Sequence, residues 1–123
     1  MQPLILVSAE DTPKVKFDAS EDVLEISGRS LPENAIQFYQ PVIDWLTLYS
    51  KNPKHLTNIN FHFEFMSTSS VKQIMKAMMQ LDELSKTAKV NVIWSYDKGD
   101  SHMKHTGELL EQLVSFKFNY REV

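Results

Sequence analysis

The sequence has no cysteine. Neither a disulfide framework nor thiolate chemistry is open to it, and a reducing compartment, the cytoplasm, is its simplest setting. Glycine is scarce, and Gly28, Gly99 and Gly107 stand alone. No glycine-rich phosphate loop can be written, which argues against nucleotide hydrolysis. A surplus of positive charge is also missing: 13 Lys and Arg stand against 16 Asp and Glu, for a formal charge of -3. The basic residues are scattered, so the cationic stripe that nucleic acid requires is not present. No apolar run approaches the ~20 residues of a membrane-spanning helix. The apolar start, Met1 to Val7, has no basic flank and runs into Ser8-Ala9-Glu10-Asp11, unlike a secretory signal. Repeats, low-complexity segments and linkers are lacking too. What remains is a chain of 123 residues, 42% of them hydrophobic, the size and content of a single domain spanning residues 1–123.

Patterning predicts the elements. Val15 to Phe17 and Val23 to Ile26 read as two strands around the turn-forming Asp18-Ala19-Ser20-Glu21-Asp22, an N-terminal hairpin. Ser30-Leu31-Pro32-Glu33 has the form of a capping box with Ser30 as N-cap. The helix after it places Ile36, Tyr39, Ile43, Leu46 and Ser50 on one face, and Pro41 predicts a kink or restart. Thr57 to Phe65 alternates, with Ile59, Phe61, Phe63 and Phe65 dry and Asn60, His62 and Glu64 wet. A second helix opens at Ser67-Thr68-Ser69-Ser70 and runs to about Ala88. Val90 to Tyr96 is an interior strand, Asp100 to Val114 a third helix, and Phe116, Phe118 and Tyr120 alternate as a last strand. The order implies an α/β fold: about five strands in a mixed sheet, an N-terminal hairpin, then βαβ crossovers with three helices. The wet side of the Thr57 to Phe65 strand favours two layers over a doubly wound sheet, whose strands are apolar on both faces.

Few residues offer chemistry. His102 and His105 have the i, i+3 spacing that can share a metal, but further ligands would have to come from Asp97 or Asp100, and no sequence signature supports them. Two solvated helix residues are the plainer reading. His62, on a wet strand face, has no nucleophile at a known spacing, so no triad can be argued. The aromatic residues fall mostly on the dry faces and read as core. The densest cluster is Phe65-Met66-Ser67-Thr68-Ser69-Ser70, where a strand ends and a helix begins. Taken plainly, it is an N-cap. The same place suits a phosphate, because free N–H groups and the positive end of the helix dipole face it. Along that helix Ile74, Ala77, Met78, Leu81 and Leu84 form the buried stripe. Thr68, Lys72, Met75 and Met79 line a neighbouring, more exposed face. Methionines outside a core stripe suit an adaptable docking surface, or pack at the edge of the first helix.

Across Thr12-Pro13, Gly28-Arg29-Ser30-Leu31-Pro32-Glu33-Asn34, Phe38-Tyr39, Val42-Ile43-Asp44-Trp45-Leu46, Phe65 to Ser70 and Trp94-Ser95-Tyr96-Asp97, the chain resembles the SiaC family of bacterial regulatory phosphoproteins. That resemblance implies a STAS-like fold and a partner-switching role without catalysis or cofactor. It implies that a SiaB-type kinase modifies Thr68, that a SiaA-type PP2C phosphatase reverses this, and that the unmodified form activates a SiaD-type diguanylate cyclase in cyclic-di-GMP and biofilm signalling. An anti-sigma-antagonist-like switch acting on transcription is the alternative, and a small enzyme using His62 or the His102 and His105 pair a third. The expected partner-binding residues are Ser67, Thr68, Ser69, Lys72, Met75 and Met79. Two positions depart from the family pattern. Ser67 replaces its usual Asn, and Asp97 to His102 replaces a commonly acidic loop.

Overall fold

The computed structural model describes all 123 residues. Six strands lie side by side in chain order: β1 (Leu4–Leu6), β2 (Lys14–Asp18), β3 (Val23–Ser30), β4 (Leu56–Met66), β5 (Lys89–Tyr96) and β6 (Asn119–Glu122). Helices α1 (Ala35–Tyr49), α2 (Thr68–Leu84) and α3 (Ser101–Glu111) fill the three later connections. The first three strands are antiparallel and β3 to β6 are parallel. The β2–β3 turn forms where the polar run predicts it. Asp18 Oδ1 accepts the N–H groups of Ser20 and Glu21, and Asp22 closes the turn in the left-handed region at φ 57.

The parallel strands advance in one direction without reversal, so right-handed crossovers place all three helices on the same face. Two layers result, as the wet side of β4 predicts. The covered face of the sheet brings together Val15, Phe17, Ile26, Ile59, Phe61, Phe63, Val92 and Trp94, all fully buried. The other face is polar and bonded across strands: Asn91 Nδ2 donates to Asn58 Oδ1 at 2.9 Å, Asn119 Nδ2 to Asn91 Oδ1, and Ser95 Oγ to Asn60 Oδ1 at 3.1 Å.

Several expectations are corrected. The sheet has six strands rather than about five, because three-residue β1 is too short to show alternation. Ser30 is not an N-cap. It ends β3 with its side chain fully buried, and α1 is capped by Asn34, whose Oδ1 accepts the Gln37 N–H at 3.1 Å. The dry face of α1 is turned about one residue from the predicted one. Ala35, Tyr39, Val42, Trp45, Leu46 and Tyr49 are buried, whereas Ile36 is 61% exposed. Trp45 sets that rotation by stacking on Tyr49 at 5.2 Å and meeting Phe17 at 5.2 Å. Pro41 lies on the exposed side and α1 continues through it without a break. Phe65 leaves the core and is 43% exposed. The β3–β4 register passes from Gly28↔Phe63 to Arg29↔Phe65, so Glu64 is an extra residue and the alternation inverts beyond it. Gly28, at φ +116, supplies the backbone shape for this shift. α2 stops at Leu84 and α3 at Glu111, each short of prediction. Phe116 and Phe118 precede β6 rather than belonging to it.

Candidate functional site

The carboxyl ends of β3, β4 and β5 lie at one edge of the sheet, where all three helices begin. α1 packs along α2, but α2 and α3 scarcely touch. The gap between them is a groove of about 650 Å³. Val71 and Met75 of α2, Phe65 and Met66 of β4, and Met103, Thr106, Leu109, Leu110 and Leu113 on the α3 side line it. Thr68, Glu64, Asp100 and His102 are its remaining lining residues. The bulge in β4 matters here, because it turns Phe65 out of the core toward the groove. There the Arg29 guanidinium lies 5.7 Å from the ring centroid.

Ser67 caps α2 with extended backbone, its Oγ accepting the Ser70 N–H at 3.2 Å. Thr68 is therefore the first helical residue, and it is exposed. Beneath it runs a hydroxyl chain. Ser70 Oγ donates to the Ser30 carbonyl at 3.0 Å and lies 2.8 Å from Ser30 Oγ and 2.9 Å from Ser67 Oγ. Ser30 Oγ in turn meets the Tyr39 hydroxyl at 2.5 Å. The Ser67 N–H also donates to the Ser30 carbonyl, at 2.9 Å. Ser30, Tyr39 and Ser70 are fully buried. Burial pushes the Tyr39 hydroxyl up to about 12 against the opposing pull of its bonds to Ser30 and Ser70, so it is a neutral donor at physiological pH.

The residues expected to bind a partner divide. Thr68 and Met75 line the groove, Met75 being 37% exposed. Met79, 62% exposed, and Lys72 are solvent-facing and outside its lining. Ser67 serves as the cap, and Ser69 is exposed but absent from the groove lining. The histidines do not converge. His62 Nε2 is 2.9 Å from Asp97 Oδ1 on the polar side of the sheet, His102 lines the groove, and His105 Nδ1 is 3.7 Å from Glu108 Oε1. No set of three His, Asp or Glu side chains is placed to hold a metal ion. Sequence reasoning missed the α3 wall of the groove. Leu109 and Leu113 are, like Met75 and Met79, apolar residues exposed outside the buried stripe, here Met103, Gly107 and Leu110.

Together these features define a two-layer α/β protein with a hydroxyl-edged apolar groove at the carboxyl ends of its parallel strands. The chain belongs to the SiaC family of regulatory phosphoproteins, whose family model matches residues 6–123. It is 25% identical over 119 residues to an uncharacterised protein of Pseudomonas aeruginosa (strain UCBPP-PA14), an alignment spanning 96% of this chain and 94% of that one. SiaC of Pseudomonas aeruginosa superposes with a TM-score of 0.89 over the whole of both chains at 24% identity. A chain in the structure of the diguanylate cyclase SiaD in complex with its activator SiaC, from the same organism, gives 0.90 over 98% of this chain and 99% of that one, at 24% identity. At that identity the structural matches establish the fold. No helix is long and apolar enough to cross a membrane.

Proposed function

We propose that this protein is a non-catalytic cytoplasmic switch. Its unmodified form docks on and activates a diguanylate cyclase through the α2–α3 groove, and phosphorylation of Thr68 blocks docking. A SiaB-type kinase installs the phosphate and a SiaA-type PP2C phosphatase removes it. The carrying observation is the position of Thr68, an exposed hydroxyl on the first residue of α2 and on the edge of an apolar groove. The family supplies phosphorylation as the form of regulation, and the complex of a structural relative with SiaD supplies the kind of partner.

The chemistry favours a switch in this direction. About two negative charges added at Thr68 must be repelled or stripped of water when an apolar partner seats, at a cost of several kcal/mol. Glu64 and Asp100 also border the groove, and the Arg29 guanidinium stands over Phe65 there. Each 1.4 kcal/mol is tenfold in affinity.

Calorimetric titration of the purified cyclase with unmodified, Thr68-phosphorylated and Met75→Lys protein tests the reading. Affinity should fall at least tenfold for the phosphorylated and Met75→Lys forms. Met79→Lys, outside the lining, should cost less than Met75→Lys. Equal affinity for all forms would place the docking surface elsewhere.

A further inference from the structure

We infer that the buried hydroxyl chain from Tyr39 to Ser67 determines which of the four neighbouring hydroxyls, Ser67 to Ser70, is phosphorylated. It does so by engaging the three serines and leaving Thr68 alone free. The inference rests on the reading of Thr68 as the modified residue and extends it to the residues that set site selection.

The direction of each bond in the chain is fixed by counting protons. Ser70 Oγ donates its one proton to the Ser30 carbonyl, so it accepts from both Ser30 Oγ and Ser67 Oγ. The protons of those two hydroxyls are thereby committed. Ser30 Oγ must then accept from Tyr39. Ser67 Oγ already accepts the Ser70 N–H, and it must also be the acceptor in its 3.2 Å contact with Ser69, which donates. Every serine hydroxyl in the cluster is engaged, and Ser70 is fully buried as well. The Thr68 hydroxyl has no partner in the protein and is exposed. Helix geometry adds to the separation. At about 100° per residue, Ser69 falls on the side of α2 shared with Gln80, eleven residues on, which bonds Thr47 of α1 and Ser50 just past its end. Thr68 falls on the groove side.

Three fully buried side chains, Ser30, Tyr39 and Ser70, maintain this arrangement where apolar ones would pack without a desolvation cost. In the reaction, the Thr68 hydroxyl oxygen bonds to the γ-phosphorus of ATP as the bond to its bridging oxygen breaks. ADP leaves, and the hydroxyl proton passes to a base of the kinase. To react in the same way Ser70 must first leave its buried position, and the Ser67 and Ser69 hydroxyls must release the hydrogen bonds that their protons make within the cluster.

The test is site-resolved phosphopeptide mapping of the full chain after incubation with the SiaB-type kinase and ATP, at matched conversion, with thermal melts confirming that each variant is folded. The wild type should carry label on Thr68 alone, and Thr68→Ala should stay unlabelled. Ser67→Ala removes the acceptor for Ser69 and for the Ser70 N–H, and should bring label onto the serines that the wild type lacks, since loss of one cap favours local opening about fivefold. Ser67→Asn, which keeps a capping oxygen, should return the label to Thr68. Tyr39→Phe, which breaks the chain at its far end, should give a smaller rise. Folded Ser67→Ala and Tyr39→Phe proteins labelled only on Thr68 would overturn the inference, as would efficient labelling of Ser69 in Thr68→Ala. Label on a serine of the wild type would instead reject Thr68 as the site.

Discussion

Gly107 shows how much can depend on the absence of a side chain. A Cβ there would lie 2.5 Å from both Cδ1 and Nε1 of Trp94. The indole cannot give way: it is fully buried, its Nε1 donates to the Met103 carbonyl at 3.0 Å, and Phe61, Phe63 and Phe118 surround it at centroid distances of 5.7, 6.0 and 6.3 Å. Gly107→Ala gains about 1 kcal/mol in helix propensity and loses more to overpacking. A net destabilisation of about 1–2 kcal/mol is expected. Urea denaturation should show it as a lower midpoint with unchanged slope. A midpoint at or above that of the wild type would mean that α3 can rise off the sheet at little cost.

Among the elements, those written in local pattern were legible from sequence. The alternation of Ile59, Phe61 and Phe63, the polar turn from Asp18 to Asp22, and the Ile74, Ala77, Met78, Leu81, Leu84 stripe all appear as expected. What failed depended on neighbours distant in the chain. Ser30 satisfies the capping-box spacing, but at the end of β3 its hydroxyl faces Tyr39 and Ser70, and Asn34 does the capping. Phe65 continues the alternation in sequence, and only the extra residue in the β3–β4 register turns it outward. Half of the groove was legible for a similar reason: Thr68 and Met75 lie on one helix, but that α2 and α3 stand apart is a property of the pair. Asp82 ties these two elements together where they end. Its Oδ1 accepts the Ser115 N–H and hydroxyl, each at 2.8 Å, and these bonds hold its carboxyl below the ordinary 3.8. A carboxyl lower in the folded than in the unfolded chain contributes stability that is present above 3.8 and lost as pH falls through the folded value. Asp82→Asn should therefore melt below the wild type at neutral pH, and the two melting curves should converge in acid, below about pH 4. A gap independent of pH would assign the loss to something other than the charge.

At the scale of the whole molecule, one face of the sheet carries the helices and the groove, and the other presents cross-bonded polar side chains. A phosphate on Thr68 would enter at the exposed edge of the helical layer, where the α2 dipole would offset its desolvation. Phosphorylated and unmodified protein should differ in stability by no more than about 1 kcal/mol. Near-coincident thermal melts would fit a switch that acts by occluding a surface. A collapse on phosphorylation would show that it acts by unfolding. The two tryptophans are set differently with respect to that surface. Trp45 lies at the other end of the fold, its indole N–H donating to the Gln2 carbonyl at 2.9 Å. Trp94 is held by the backbone of α3, the wall of the groove built from Met103, Thr106 and Leu110. The molecule thus contains its own optical probe: an indole shielded from water, whose emission depends on how closely α3 is seated, with a second indole as an internal reference far from the groove.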